Sequence, residues 1–131
     1  MMSAGFTLEY CSDYIWIRHP EGYRITPQSQ QRIWTAIGEA CRKYNCPRVL
    51  AESPAPPQRD MSKQDAFKSA MQAANAASEL RLACLFPGYD SDETTEFFIT
   101  VAYNSGIRIE FFSQREDALE WLGVDQAGQV S

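Results

Sequence analysis

Apolar residues along this chain switch between two spacings, and the switches mark its elements. Phe6-Thr-Leu-Glu-Tyr10 and Tyr14-Ile-Trp-Ile-Arg18 are rich in aromatic and β-branched residues, and Ser12-Asp13 between them predicts a β-hairpin. His19-Pro-Glu-Gly22 is a turn in which Pro20 supplies a fixed φ, and Tyr23-Arg-Ile25 leads out of it. Thr26-Pro27 then opens a helix, with a capping hydroxyl followed by proline at the first helical position. Ile33, Ile37, Cys41 and Tyr44 recur at steps of 4, 4 and 3, and Trp34 and Ala40 widen the stripe. Gln31, Arg32, Glu39, Arg42 and Lys43 lie mostly opposite. This spacing predicts a helix with one face on a sheet, ended by Asn45 and Pro47.

Arg48-Val-Leu-Ala-Glu52 reads as a short, buried parallel strand. Ser53-Pro-Ala-Pro-Pro-Gln-Arg59 after it holds three prolines in four residues, which makes an extended, stiff connector. Asp60-Met-Ser62 caps a second helix, whose buried stripe is expected at Phe67, Ala70, Met71, Ala74 and Ala77. Leu80-Arg-Leu-Ala-Cys-Leu-Phe86 is the most hydrophobic strand, ended by Pro87-Gly88. Residues Thr94 to Tyr103 have strand propensity throughout. The acidic start at Ser91-Asp-Glu, the pairing of Phe97 and Phe98 with Val101 and Ala102, and the Asn104-Ser-Gly106 stop nonetheless predict a helix. Ile107 to Phe112 is the last strand. In the closing helix Ser113 and Glu116 have capping-box spacing, Ala118, Leu119, Trp121 and Leu122 share a face, and Gly123 ends it. Trp121 belongs to that face as a core or seam residue.

The order β-β-α-β-α-β-α-β-α predicts an α/β fold with a mixed, mainly parallel β-sheet and covering helices. One domain is expected over residues 1–123, followed by a short polar tail at 124–131.

Composition narrows the function. Hydrophobic residues make up 44% of the 131 and aromatics 12%, enough for a packed core. With 12 basic and 17 acidic residues the net charge is -5, which argues against broad nucleic-acid or anionic-membrane binding. No stretch approaches the roughly 20 apolar residues of an integral membrane segment, and the start lacks the basic head and apolar run of a leader. Cys11, Cys41, Cys46 and Cys84 show no metal-type pairing and there is one histidine, so neither a metal nor another cofactor is expected. Free thiols then fit a cytoplasmic location.

Chemistry is sparse. No nucleophile motif, phosphate loop or metal signature is present. Gly38, inside the first helix, reads as a site of close packing. His19, before Pro20 in a turn, reads as exposed and idle. Loops at a strand's carboxyl end are where α/β folds place ligands, so Glu52, Ser53, Arg59 and Asp60 around the proline loop are the binding-loop candidates.

Three stretches carry a family likeness: Glu21-Gly-Tyr-Arg-Ile-Thr-Pro27; Arg48-Val-Leu-Ala-Glu52; and Arg108-Ile-Glu-Phe-Phe with Glu116-Asp-Ala-Leu-Glu-Trp-Leu. Together with the element order they resemble the SpoIIAA-like group of STAS-type domains over residues 6–123. The resemblance implies a non-catalytic interaction or regulatory module that binds a protein partner. It also implies a phosphorylated serine switch at the helix after the central strand. Ser62 falls at that position, although Met61 and Lys63 replace the family's hydroxyl residue and glycine. The alternative is a small-molecule or lipid-binding domain with a pocket between the sheet and the Phe67/Met71 or Phe97/Phe98 helices. An enzyme would require Glu52, Asp60 or His19 to converge in a closed pocket. A homodimer formed through a sheet edge or an exposed aromatic is compatible with all three.

Overall fold

The computed structural model describes residues 5–124. The start of the chain forms the expected hairpin: β1 (Thr7–Tyr10) runs antiparallel to β2 (Ile15–Arg18), with Leu8 opposite Ile17. After β3 (Arg24–Ile25) comes α1 (Pro27–Tyr44). Thr26 Oγ1 accepts from the Ser29 amide at 3.1 Å, Ser29 Oγ accepts from the Thr26 amide at 3.0 Å, and Asn45 ends the helix at φ 51°. Then follow β4 (Arg48–Glu52), β5 (Gln58–Arg59), α2 (Lys63–Ala76), β6 (Arg81–Leu85), α3 (Glu93–Asn104), β7 (Arg108–Phe112) and α4 (Arg115–Leu122). The strand-prone run from Thr94 to Tyr103 is helical, as its acidic cap indicated: Asp92 Oδ1 accepts from the Thr95 amide at 3.0 Å.

Five strands form one mixed sheet in the order β1-β2-β4-β6-β7, parallel throughout except for β1. Each parallel strand adds beside the last on the same side, so right-handed crossovers place α1, α2 and α3 on one face. Ile15, Ile17, Val49, Ala51, Leu82, Cys84 and Ile109 point into the core beneath those helices. The alternate residues Leu50, Ala83 and Leu85 face the other way, where α4 covers them with Ala118, Leu119 and Leu122. Trp121 packs against this second core, its ring 5.6 Å from that of Phe112.

Four expectations are corrected. The buried stripe of α2 is Ala66, Ser69, Ala70 and Ala73, continued by Ala77, while Phe67 (46% exposed) and Met71 (37%) face outward. As the middle helix of three, α2 admits only small side chains on its inner face. At its end a β-carbon on Gly38 would lie 2.8 Å from Ala76 O, which bears out the close-packing reading of that glycine. The capping box at Ser113 and Glu116 does not form. The cap residue is Gln114, without a side-chain bond, because β7 runs to Phe112 and α4 starts at Arg115. The guanidinium of Arg115 instead anchors the helix start to Glu52 Oε1 at 3.1 Å and Tyr14 Oη at 3.3 Å. Val124, assigned to the tail, is 2% exposed in the second core, its amide donating to Leu119 O at 2.9 Å. The remainder of that tail, 125–131, lies outside the described residues. Finally, the segments after β2 and β4 contain the strands β3 and β5, which pair as a separate two-stranded sheet.

Candidate functional site

The small sheet defines the site. β2 and β4 run parallel and end at the same edge, so the loops leaving them emerge side by side. They return as β3 and β5, pairing Arg24 with Gln58 and Ile25 with Arg59 to form a strap. The strap is pinned by Asp60 N to Ile25 O at 2.8 Å and by Arg24 Nη1 to Gln58 Oε1 at 2.9 Å. The proline loop is braced from below. Ser53 is 2% exposed and donates to Ala55 O at 2.5 Å, while a β-carbon on Gly88 (φ 82°) would meet Pro56 Cγ at 2.9 Å.

Beneath the strap lies an apolar cavity at the carboxyl ends of the strands. Its cavity volume is about 60 Å³, and the whole hollow, open solvent at the mouth included, is about 610 Å³. Ala51, Leu82 and Cys84 form the floor; Trp34, Ala66 and Phe98 come from the three helices; Tyr23, Arg59, Met61 and Tyr89 stand nearer the strap.

His19 is the unexpected component. The sequence placed it in an exposed turn, yet it is 6% exposed and lines the cavity. Its ring stacks on Tyr23 with centroids 3.7 Å apart and planes 5° from parallel, and meets Phe86 edge-on at 6.2 Å. Its backbone amide extends the main ladder to Glu52 O at 2.8 Å, which turns the side chain inward. Among the described residues the imidazole has no hydrogen-bond partner. Burial lowers its pKa from 6.5 to about 4, so the ring is neutral over most of the pH range.

The other polar groups are largely occupied. Tyr23 Oη donates to Gln30 Oε1 at 3.1 Å, and Gln30 Nε2 and Trp34 Nε1 both donate to the buried Ser69 Oγ, at 3.1 and 2.8 Å. Arg59 grips Asp92 with two bonds of 2.5 and 2.7 Å, which hold that carboxyl well below the usual range. The Arg59 Nε–H, however, is buried and unpartnered. Burial pushes the Cys84 thiol up, so it stays protonated. The cavity is therefore electrically neutral, with an imidazole and one guanidinium N–H unengaged.

Of the four binding-loop candidates, only Arg59 lines this cavity. The Glu52 carboxylate lies on the opposite face of the sheet, accepting from Trp16 Nε1 at 2.9 Å and from Arg115. Ser53 is used within its loop, and the exposed Asp60 lies 3.6 Å from Arg24. Glu52, Asp60 and His19 thus do not share a pocket. Ser62 is exposed and caps α2, exchanging 3.1 Å bonds with Asp65. Phe98 faces the cavity, whereas Phe67, Met71 and Phe97 point away from the core.

No family model, curated protein or solved structure matches the chain. Among the described residues, no three His, Cys, Asp or Glu side chains gather as a metal site, and no helix is long and apolar enough to cross a membrane. The described cysteines are free.

The buried imidazole carries a pH signature. Between pH 6.5 and 4 the unfolded chain binds a proton at His19 that the folded chain does not, so stability falls as pH drops through that window. The loss is expected to reach about 3 kcal/mol, and His19→Phe is expected to flatten it. Urea unfolding across this pH range checks both. Asp92 adds a further loss only at lower pH, where its carboxylate protonates.

Proposed function

We propose that this protein is a binding module for a neutral, apolar small molecule that sits beneath the β3–β5 strap. The observation that carries this reading is the apolar cavity itself, lined by Arg59, whose Nε–H is buried without a partner, and by the neutral imidazole of His19, which makes no hydrogen bond among the described residues. A buried polar group without a partner is costly, and a ligand hydroxyl, carbonyl or amide would supply one. The Arg59 Nε–H favours an acceptor on the ligand. An ionised ligand is disfavoured, because Arg59 is already neutralised by Asp92 and His19 is uncharged near neutrality. The small cavity volume and apolar floor suit a small apolar group, with the ligand's polar group near Arg59 and His19. The cavity's place at the strands' carboxyl ends agrees with where α/β folds hold ligands.

The second reading is a STAS-like interaction module, the finer fold assignment that the element order supports. Its favouring observation is α2, where Phe67 and Met71 stand exposed one turn apart beyond the exposed cap Ser62. A partner would dock on that face, and phosphate on Ser62 would oppose the Asp65 carboxylate bound to its amide.

Native mass spectrometry of freshly purified protein tests both. A small added mass, released on denaturation as an uncharged molecule, is expected on the first reading. A co-purifying polypeptide lost on Phe67→Glu, with no small adduct, would favour the second.

A further inference from the structure

We propose that a second site, at the end of the sheet opposite the cavity, binds a phosphate-type oxyanion through Arg48, Arg81 and Arg108. The three arginines are register partners on adjacent parallel strands: Arg48 pairs with Arg81, and Arg81 with Arg108. Each precedes by two residues a position on the α4 side of the sheet, so all three side chains leave the backbone on that face, and the Arg108 guanidinium then turns around the edge strand to the Tyr103 ring of α3. At about 4.8 Å between strands they form a row about 10 Å long. Like charges on directly facing positions repel, and the chain as a whole carries a net charge of -5, so general basicity does not explain the row.

Among the described residues no carboxylate lies within ion-pairing distance of it. None of the ion pairs there includes any of the three. Arg81 is oriented but not neutralised: Nε donates to Trp121 O at 2.9 Å, Nη2 donates to the same oxygen, and the guanidinium lies 4.2 Å from the Trp121 ring centroid. Of its five N–H groups the carbonyl takes two and leaves three. Arg108 is exposed, 4.6 Å over the Tyr103 ring, and Arg48 has no side-chain hydrogen bond, ion pair or ring contact. An open groove of about 420 Å³ runs beside Arg81 and Arg108, with Glu79 on its rim. Guanidinium forks match phosphate oxygens in pairs. A row of three, the central one held by a carbonyl, suits an anion with more than one phosphate. Glu79 opposes such an anion and sets a ceiling on its affinity.

Isothermal titration with inorganic pyrophosphate and phosphate, against sodium chloride at matched ionic strength, tests this. Saturable binding is expected, tighter for pyrophosphate. Replacing Arg48 and Arg108 together by glutamine is expected to weaken it about tenfold or more, while Glu79→Gln strengthens it. Arg81 is left intact because it anchors α4. Phosphatidate vesicles distinguish the source: retention that pyrophosphate displaces assigns the phosphate to a lipid headgroup, and saturable pyrophosphate binding without retention assigns it to a soluble molecule. Pyrophosphate acting no differently from chloride, or a double variant that binds like the parent, overturns the proposal.

Discussion

A Gly38→Val protein is expected to be less stable than the parent by about 3 kcal/mol. Gly38 lies in the middle of α1 with no left-handed φ to preserve, so helix propensity alone would make a larger residue stabilising, by about 1 kcal/mol for alanine. Packing opposes this. An added β-carbon would meet Ala76 O at 2.8 Å and Ala76 Cβ at 3.2 Å, and the nearest atom is backbone that cannot rotate aside. Ala76 O also accepts from Arg42 Nη1 at 3.3 Å, so displacing it breaks a second link between α1 and α2. Valine adds two methyl groups to the clash, whereas Gly38→Ala is expected to fall between parent and valine. Urea midpoints with unchanged slopes would report the loss. A valine protein as stable as the parent would mean that α1 and α2 do not pack as closely as described.

Ala66→Phe is expected to abolish ligand uptake, lowering affinity by about 100-fold or more, while costing about 1–3 kcal/mol of stability. Ala66 is 3% exposed and borders the cavity from α2, so a phenyl group there occupies the cavity volume of about 60 Å³. Ala51→Leu fills the same space from the sheet floor and guards against misfolding of the first variant. Retained uptake in both variants would remove the cavity from the account.

The fold was legible where local signals and burial agree. Thr26-Pro27, the Ile33/Ile37 stripe, Asn45 and Gly123 each act through neighbours within one or two turns, and the structure bears them out. Thr94 to Tyr103 had strand-forming side chains, but the Asp92 cap and acidic first turn are local too, and they won. The misreadings concern contacts between distant segments. Two-residue strands such as β3 and β5 have no period, and their pairing depends on the parallel exit of β2 and β4. Tyr23, just before β3, stacks on His19, and Phe6 and Phe86 meet it edge-on, so a turn motif with proline gave no sign of a cavity wall. The face of α2 was misjudged because Phe67 and Met71 are the larger apolar residues, while a helix between two others has room only for alanine and serine inside. Glu52 alternates with Ala51, and that alternation sends its carboxylate to the α4 side, away from Arg59. Arg59 is the one loop candidate that lines the cavity, and its partner Asp92, 33 residues away, left no trace in local spacing.

The most direct test of the cavity as a ligand site is calorimetric titration of linear alcohols from butanol to decanol into the parent protein and into Ala66→Phe. The parent is expected to bind them saturably, gaining about 0.8 kcal/mol, or roughly fourfold in affinity, per added methylene until the cavity is full. Beyond that length the gain is expected to level off, and Ala66→Phe is expected to show no saturable binding. Absence of saturable binding by the parent, or an undiminished gain per methylene in Ala66→Phe, would contradict a ligand site beneath the strap.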